Sequence, residues 1–107
     1  MVKKSAIEIK VKTEVTLPEG KYIFKLFITG INTNSVRAVI NCKAICEKYL
    51  PNRYELEIID IYQQQELAHS EDIIAIPVLI KKFPLPEGRV IGDLSDTTKV
   101  LKELDLI

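Results

Sequence analysis

Few side chains in this sequence could do chemistry. Cys42 and Cys46 stand at C-x3-C spacing, His69 is the single histidine, and Thr33 and Ser35 lie in the polar run Asn32-Thr33-Asn34-Ser35. Two thiols and one imidazole fall short of the four ligands a structural zinc site needs. If both cysteines share a helix, their Cβ atoms lie about 5–6 Å apart. A disulfide wants roughly 3.5–4.5 Å, so the spacing predicts buried, reduced thiols. Ser35 or Thr33 could be a nucleophile, but no histidine follows nearby to act as base. Helix capping, in which the hydroxyl accepts an orphan backbone N–H, is the better account. His69 sits in a polar segment and is expected at the surface. Asp60 at a strand end and Asp72 in a loop are not paired at a metal or acid–base spacing, and the four glycines are scattered singly with no phosphate loop among them. No enzyme, metal or cofactor chemistry is expected.

Composition narrows the classes further. The 107 residues fit one domain, and 47% hydrophobic with 28% charged residues is the balance of an ordinary globular protein. Fifteen Lys and Arg against fifteen Asp and Glu give zero formal charge. A general nucleic-acid binder needs a cationic excess to displace counterions from phosphates, so no nucleic-acid partner is expected. No apolar stretch approaches the roughly 20 residues of a membrane span. Met1-Val2-Lys3-Lys4-Ser5 has no apolar run behind it and is not a secretory signal. The expected location is the cytoplasm.

The elements that would position these residues can be read from periodicity. Ile7, Ile9, Val11, Val15 and Leu17 alternate with Glu8, Lys10, Lys12, Glu14 and Thr16, which predicts a strand with one apolar side, ended by Pro18-Glu19-Gly20. Residues 1–20 are therefore an N-terminal extension carrying a β-strand, and residues 21–107 the domain proper. Lys21–Gly30 is apolar almost throughout and predicts a strand buried on both faces. A helix is expected from the capping run to about Tyr49, with Val36, Val39, Ile40, Ile45, Cys46 and Tyr49 as its apolar stripe. Tyr54–Tyr62 reads as a strand parallel to the first, and Gln63–Asp72 as a polar, helical segment. Ile76–Ile80 and Arg89–Gly92, joined by a Pro/Gly loop, read as a hairpin, and Ser95 as the cap of a last helix.

That order, βαβ then a short helix then ββα, resembles the thioredoxin plan with one extra strand in front. In the plan a proline, often cis, precedes the third core strand, and Pro77 falls there. The plan also puts redox cysteines at the first strand-to-helix turn, where the helix N-terminus lowers a thiol pKa. Here the turn is Gly30-Ile31-Asn32-Thr33-Asn34-Ser35, without cysteine. Disulfide exchange is not expected.

Four stretches, in order and at consistent spacing, resemble the KaiB family of clock proteins over Lys21–Leu106. They are Tyr22–Gly30; Asn34-Ser35-Val36-Arg37-Ala38, similar to an N-S-x-R-A helix start; Ile73–Leu79, similar to I-x-A-x-P-x-L; and Arg89-Val90-Ile91-Gly92-Asp93-Leu94-Ser95, similar to R-x-I-G-D-L-S. The resemblance implies a non-enzymatic regulator that binds a KaiC-type ATPase and modulates its phosphorylation or signalling output, in circadian timing or in stress adaptation. It also implies a homo-oligomer, dimer or tetramer, and a metamorphic chain with an alternative packing of roughly Leu50–Leu106. Pro77, Gly92 and Asp93 fall at fold-switch or turn positions. Lys25, Arg37, Lys81, Lys82 and Arg89 are the expected partner-binding cations, suited to an acidic surface. A thioredoxin-like sensor module of a two-component system is the alternative, and a thiol oxidoreductase a more distant one.

Overall fold

Tyr22–Ile28 forms strand β1, and its interior side chains are covered on both faces, as its continuous apolar run predicts. The structure, a computed structural model, describes residues 21–71, 73 and 76–106. The extension 1–20 and its expected strand lie outside the described residues. After β1 come α1 (Thr33–Tyr49), β2 (Tyr54–Asp60), α2 (Gln65–Ser70), β3 (Val78–Phe83), β4 (Gly88–Ile91) and α3 (Thr97–Glu103). One mixed sheet has the order β2-β1-β3-β4. β1 and β2 are parallel, with α1 as the crossover; β3 runs antiparallel to β1, and β4 to β3. The βαβ–ββα reading holds.

Alternation along the strands splits the apolar residues into two cores. Phe24 and Leu26 of β1, Leu79 of β3 and Val90 of β4 pack with Ala38, Cys42, Ile45 and Cys46 of α1 and Val100 and Leu101 of α3. Phe27, Ile59, Val78 and Ile80 form the second core, covered by Leu67 of α2 and by Ile61, Ile73 and Ile76. β3 gives Leu79 to the first core and Val78 and Ile80 to the second, so both its faces are roofed. This corrects the expectation for Lys81, which is only 2% exposed and pairs in register with Phe24 on the α1/α3 side. It is not a surface cation.

The stripe of α1 is rotated from the expected one. Ser35, Ala38, Cys42, Ile45 and Cys46 are its buried residues, whereas Val36 and Ile40 are exposed. Intervals of three and four between the buried positions keep them on one helical face, and Val36 and Ile40 start a second line beside it. The caps also differ in detail. Asn32 caps α1 by accepting the Ser35 N–H at 2.9 Å, while the Ser35 hydroxyl accepts the Thr29 N–H at 3.3 Å and ties the strand end to the helix. Asp96, rather than Ser95, caps α3 by accepting from Lys99 at 3.1 Å. β2 stops at Asp60, whose carboxylate accepts the Tyr62 N–H at 2.9 Å and starts a turn.

β4 and α3 meet at Gly88, where a Cβ would lie 2.9 Å from the Glu103 carbonyl oxygen. Because the obstacle is backbone, it cannot rotate away. Gly88→Ala is expected to cost about 1–3 kcal/mol, as overpacking does, read as a Tm lower by several degrees in thermal denaturation. An unchanged Tm would mean that α3 shifts freely on the sheet.

Candidate functional site

The expected partner-binding cations separate into three places. Lys25, Lys82 and Arg89 come from β1, β3 and β4 and project to the α2 side of the sheet, where each meets Glu71, the residue that ends α2. Lys82 Nζ donates to both Glu71 carboxylate oxygens at 3.0 Å. Lys25 Nζ and Arg89 Nη2 each stand 3.8 Å from the same carboxylate. Arg89 also donates to the Glu71 carbonyl oxygen, and Lys82 pairs with Glu87 at 2.6 Å. The Glu71 side chain is 14% exposed, less than any of the three cations around it. One half-buried carboxylate thus anchors three cations from three adjacent strands.

Arg37 lies elsewhere. From the first turns of α1 it reaches Asp93 at 3.8 Å, and Asn41 Nδ2 donates to the Asp93 carbonyl at 2.9 Å, so the β4–α3 turn is tied to α1. The Asp93 carboxylate is hydrogen-bonded by the Ser95 side chain and accepts the Ser95 N–H at 3.1 Å, and this bonding, with Arg37 adding less, holds its pKa below the usual value. The Gly92 N–H donates to the Pro77 carbonyl at 2.9 Å, next to the Val78–Ile91 pair. Pro77 follows a cis peptide bond. Gly92 has φ +113, a backbone angle that L side chains resist. The three residues expected at the switch therefore meet at one end of the sheet, the end where β1 leads into α1.

That end holds no sulfur. Gly30 turns with φ +59, Ile31 is 95% exposed and Ile40 61% exposed, and they border a shallow apolar groove of about 200 Å³ with Ile28, Val36 and Val39. Tyr62, 71% exposed, lies against Gly30. The two thiols sit inside α1 instead, both free and buried. The hydrogen bond to Cys46, reinforced by burial, pushes the Cys42 pKa far up and keeps that thiol protonated. His69 is exposed on α2. Among the described residues no group of three or more His, Cys, Asp and Glu could hold a metal ion, and no helix is long and apolar enough to cross a membrane.

Sequence reasoning missed Glu71 and the exposed apolar line Ile31–Val36–Ile40. The second was readable, because Ala38, Cys42, Ile45 and Cys46 already complete one helical stripe without Val36 and Ile40. Nothing local marks Glu71, whose partners are 11 to 46 residues away in sequence.

The pairing has a pH signature. Lys82 draws the Glu87 pKa down, so the folded carboxylate is more acidic than the unfolded one. Its contribution is present above the ordinary carboxylate pKa and is lost as pH falls through that range. The Lys82 pKa is raised, chiefly by Glu87, so its contribution is present below the ordinary lysine pKa and lost only as pH rises past it. With Lys82→Met, the urea midpoint is expected to fall less steeply from neutral pH to about pH 3 than in wild type. Parallel curves would mean that the pair adds nothing to stability.

Comparison with known proteins gives these features a lineage. The family model for the KaiB domain matches residues 25–106. The circadian clock oscillator protein KaiB of Synechococcus elongatus is 46% identical over 90 residues, which cover 84% of this chain and 88% of that protein. The circadian clock protein KaiB3 of Synechocystis is 41% identical over 88 residues, covering 82% and 86%. In fold, the chain is similar to the N-terminal domain of Synechococcus elongatus SasA (TM-score 0.67, 20% identity, 86% of this chain and 90% of that one). It is also similar to mitochondrial thioredoxin 3 of Saccharomyces cerevisiae (TM-score 0.65, 12% identity, 83% and 81%). The thioredoxin-like architecture is thus carried by a chain whose strand-to-helix turn lacks cysteine, and by sequence that chain belongs to the KaiB family.

Proposed function

We propose that this chain, a clock-regulatory protein by family, is a non-enzymatic cytoplasmic protein that docks on a KaiC-type ATPase and modulates its phosphorylation or signalling output, in circadian timing or stress adaptation. The observation that carries the reading is the cysteine-free turn at the head of α1, where Ile31 is 95% exposed. A redox protein of this fold needs a thiolate there; a docking protein needs accessible apolar surface with charge around it. Lys25, Lys82 and Arg89 on the α2 face, and Arg37 beside the apolar line of α1, supply charge suited to an acidic partner. Lys81 is buried and takes no part in contact.

The chain also works as a homo-oligomer with two packings of its second half, the Pro77–Gly92–Asp93 junction biasing the balance. Two packings of one sequence can differ by only a few kcal/mol, and the positive φ of Gly92, open to glycine but costly to any other residue, is the kind of feature whose change tips such a balance.

A pull-down with a purified KaiC-type ATPase in the presence of ATP is expected to retain the wild-type chain. Arg37→Glu with Arg89→Glu is expected to weaken retention about tenfold or more, as opposed charges at an interface do. Absence of any ATP-dependent association sinks the docking reading. Gly92→Ala, which penalises the positive φ, is expected to change the oligomer mass measured by light scattering; an identical mass would mean one fixed packing.

A further inference from the structure

We propose that Glu71 is an internal stand-in for an acidic side chain of the docked protein: its carboxylate occupies the place on Lys25, Lys82 and Arg89 that the partner's carboxylate takes over. The inference rests on the docking reading above and adds the chemistry and regulation of one face of it. Three observations carry it.

The first is imbalance. Among the described residues three cations share Glu71 and Glu87, so these five groups carry one net positive charge. The second is incomplete engagement. Only Lys82 makes close contacts to the Glu71 carboxylate; Lys25 and Arg89 stand at 3.8 Å from it, too far for a charge-assisted hydrogen bond. Arg89 uses only Nη2 towards Glu71 and has a planar fork able to grip a carboxylate with two parallel bonds. The third is accessibility. Lys25, Lys82 and Arg89 side chains are 28%, 27% and 36% exposed, so an incoming carboxylate reaches them without unfolding the sheet. Glu71 itself follows a helix of six residues, an element with little hydrogen bonding of its own to hold it down. The partner face is therefore an acidic protein surface, and Glu71 lowers its affinity by competing for the same cations.

The test uses the full chain, a fluorescein-labelled hexaglutamate peptide and a purified KaiC-type ATPase. Glu71→Gln, which keeps the shape and removes the charge, is expected to bind the peptide about tenfold more tightly than wild type in anisotropy titrations at low salt. The gain should vanish at high salt, where exposed charges are screened. Adding Arg89→Gln to Glu71→Gln should abolish the gain. Equal affinities of wild type and Glu71→Gln, or a gain indifferent to Arg89, overturn the proposal. Should Glu71→Gln fail to fold by circular dichroism, the wild-type chain decides: the Glu71 side-chain carboxyl carbon, followed by NMR, must shift as the peptide is added, and a static resonance overturns it. The ATPase arm separates the two readings. If Glu71→Gln captures the peptide but neither form binds the ATPase, the docking reading falls and the stand-in survives. If both forms bind the ATPase equally and the peptide shows no gain, the stand-in falls and the docking reading survives.

Discussion

The fold depends on β1 being paired along both edges and packed on both faces. It is hydrogen-bonded to β2 along one edge and β3 along the other, with Phe24 and Leu26 in the core shared with α1 and α3 and Phe27 on the α2 face. A strand in that position has both edges paired and a core on each face, so parity alone decides which face each of its residues joins. A slip of one residue would push Lys25 into the helix-covered core and Phe24 onto the charged face. The register of β1 against β3 therefore sets which cations meet partners and which are sealed in.

The charged cluster follows from that register. Lys25, Lys82 and Arg89 share a face because each sits one position away from a residue of the helix-side core: Phe24 and Leu26, Lys81, and Val90. Brought together without a counter-ion, three like charges on neighbouring strands would repel. Glu71, delivered by the short helix, relieves that repulsion most closely at Lys82 and less at Lys25 and Arg89, which stand at 3.8 Å. Lys81, identical to Lys82 in type, ends up in the opposite environment through a change of one position.

The other end of the sheet has a different logic. In a thioredoxin-like fold the corner between the first core strand and the first helix is held by the scaffold yet exposed to solvent, which suits it to carry function. Here Asn32 caps the helix, Ser35 ties down Thr29, and Ile31 and Ile40 are left in the open. The same scaffold that would position a reactive sulfur positions exposed apolar side chains instead. The thiols have moved two turns and more down the helix into the core, where burial and their mutual hydrogen bond keep Cys42 protonated.

Local pattern was sufficient for much of this protein. The order of elements, the packing of β1 on both faces, the free and buried cysteines, the family and the hairpin around its Pro/Gly loop could all be read from residue types and spacing, because propensity, periodicity and motif order are properties of short stretches. The tertiary structure decided what depends on residues far apart in the chain. It rotated the buried stripe of α1 away from Val36 and Ile40, because α3 and the sheet fix which face of the helix is covered. It buried Lys81 because β3 is covered on the α1/α3 face as well as on the α2 face. It joined Lys25, Lys82 and Arg89 through Glu71, which no local signal marks. Where a charge lies relative to other charges is set by strand order and register, and those follow from the packing of the whole chain rather than from any one segment of it.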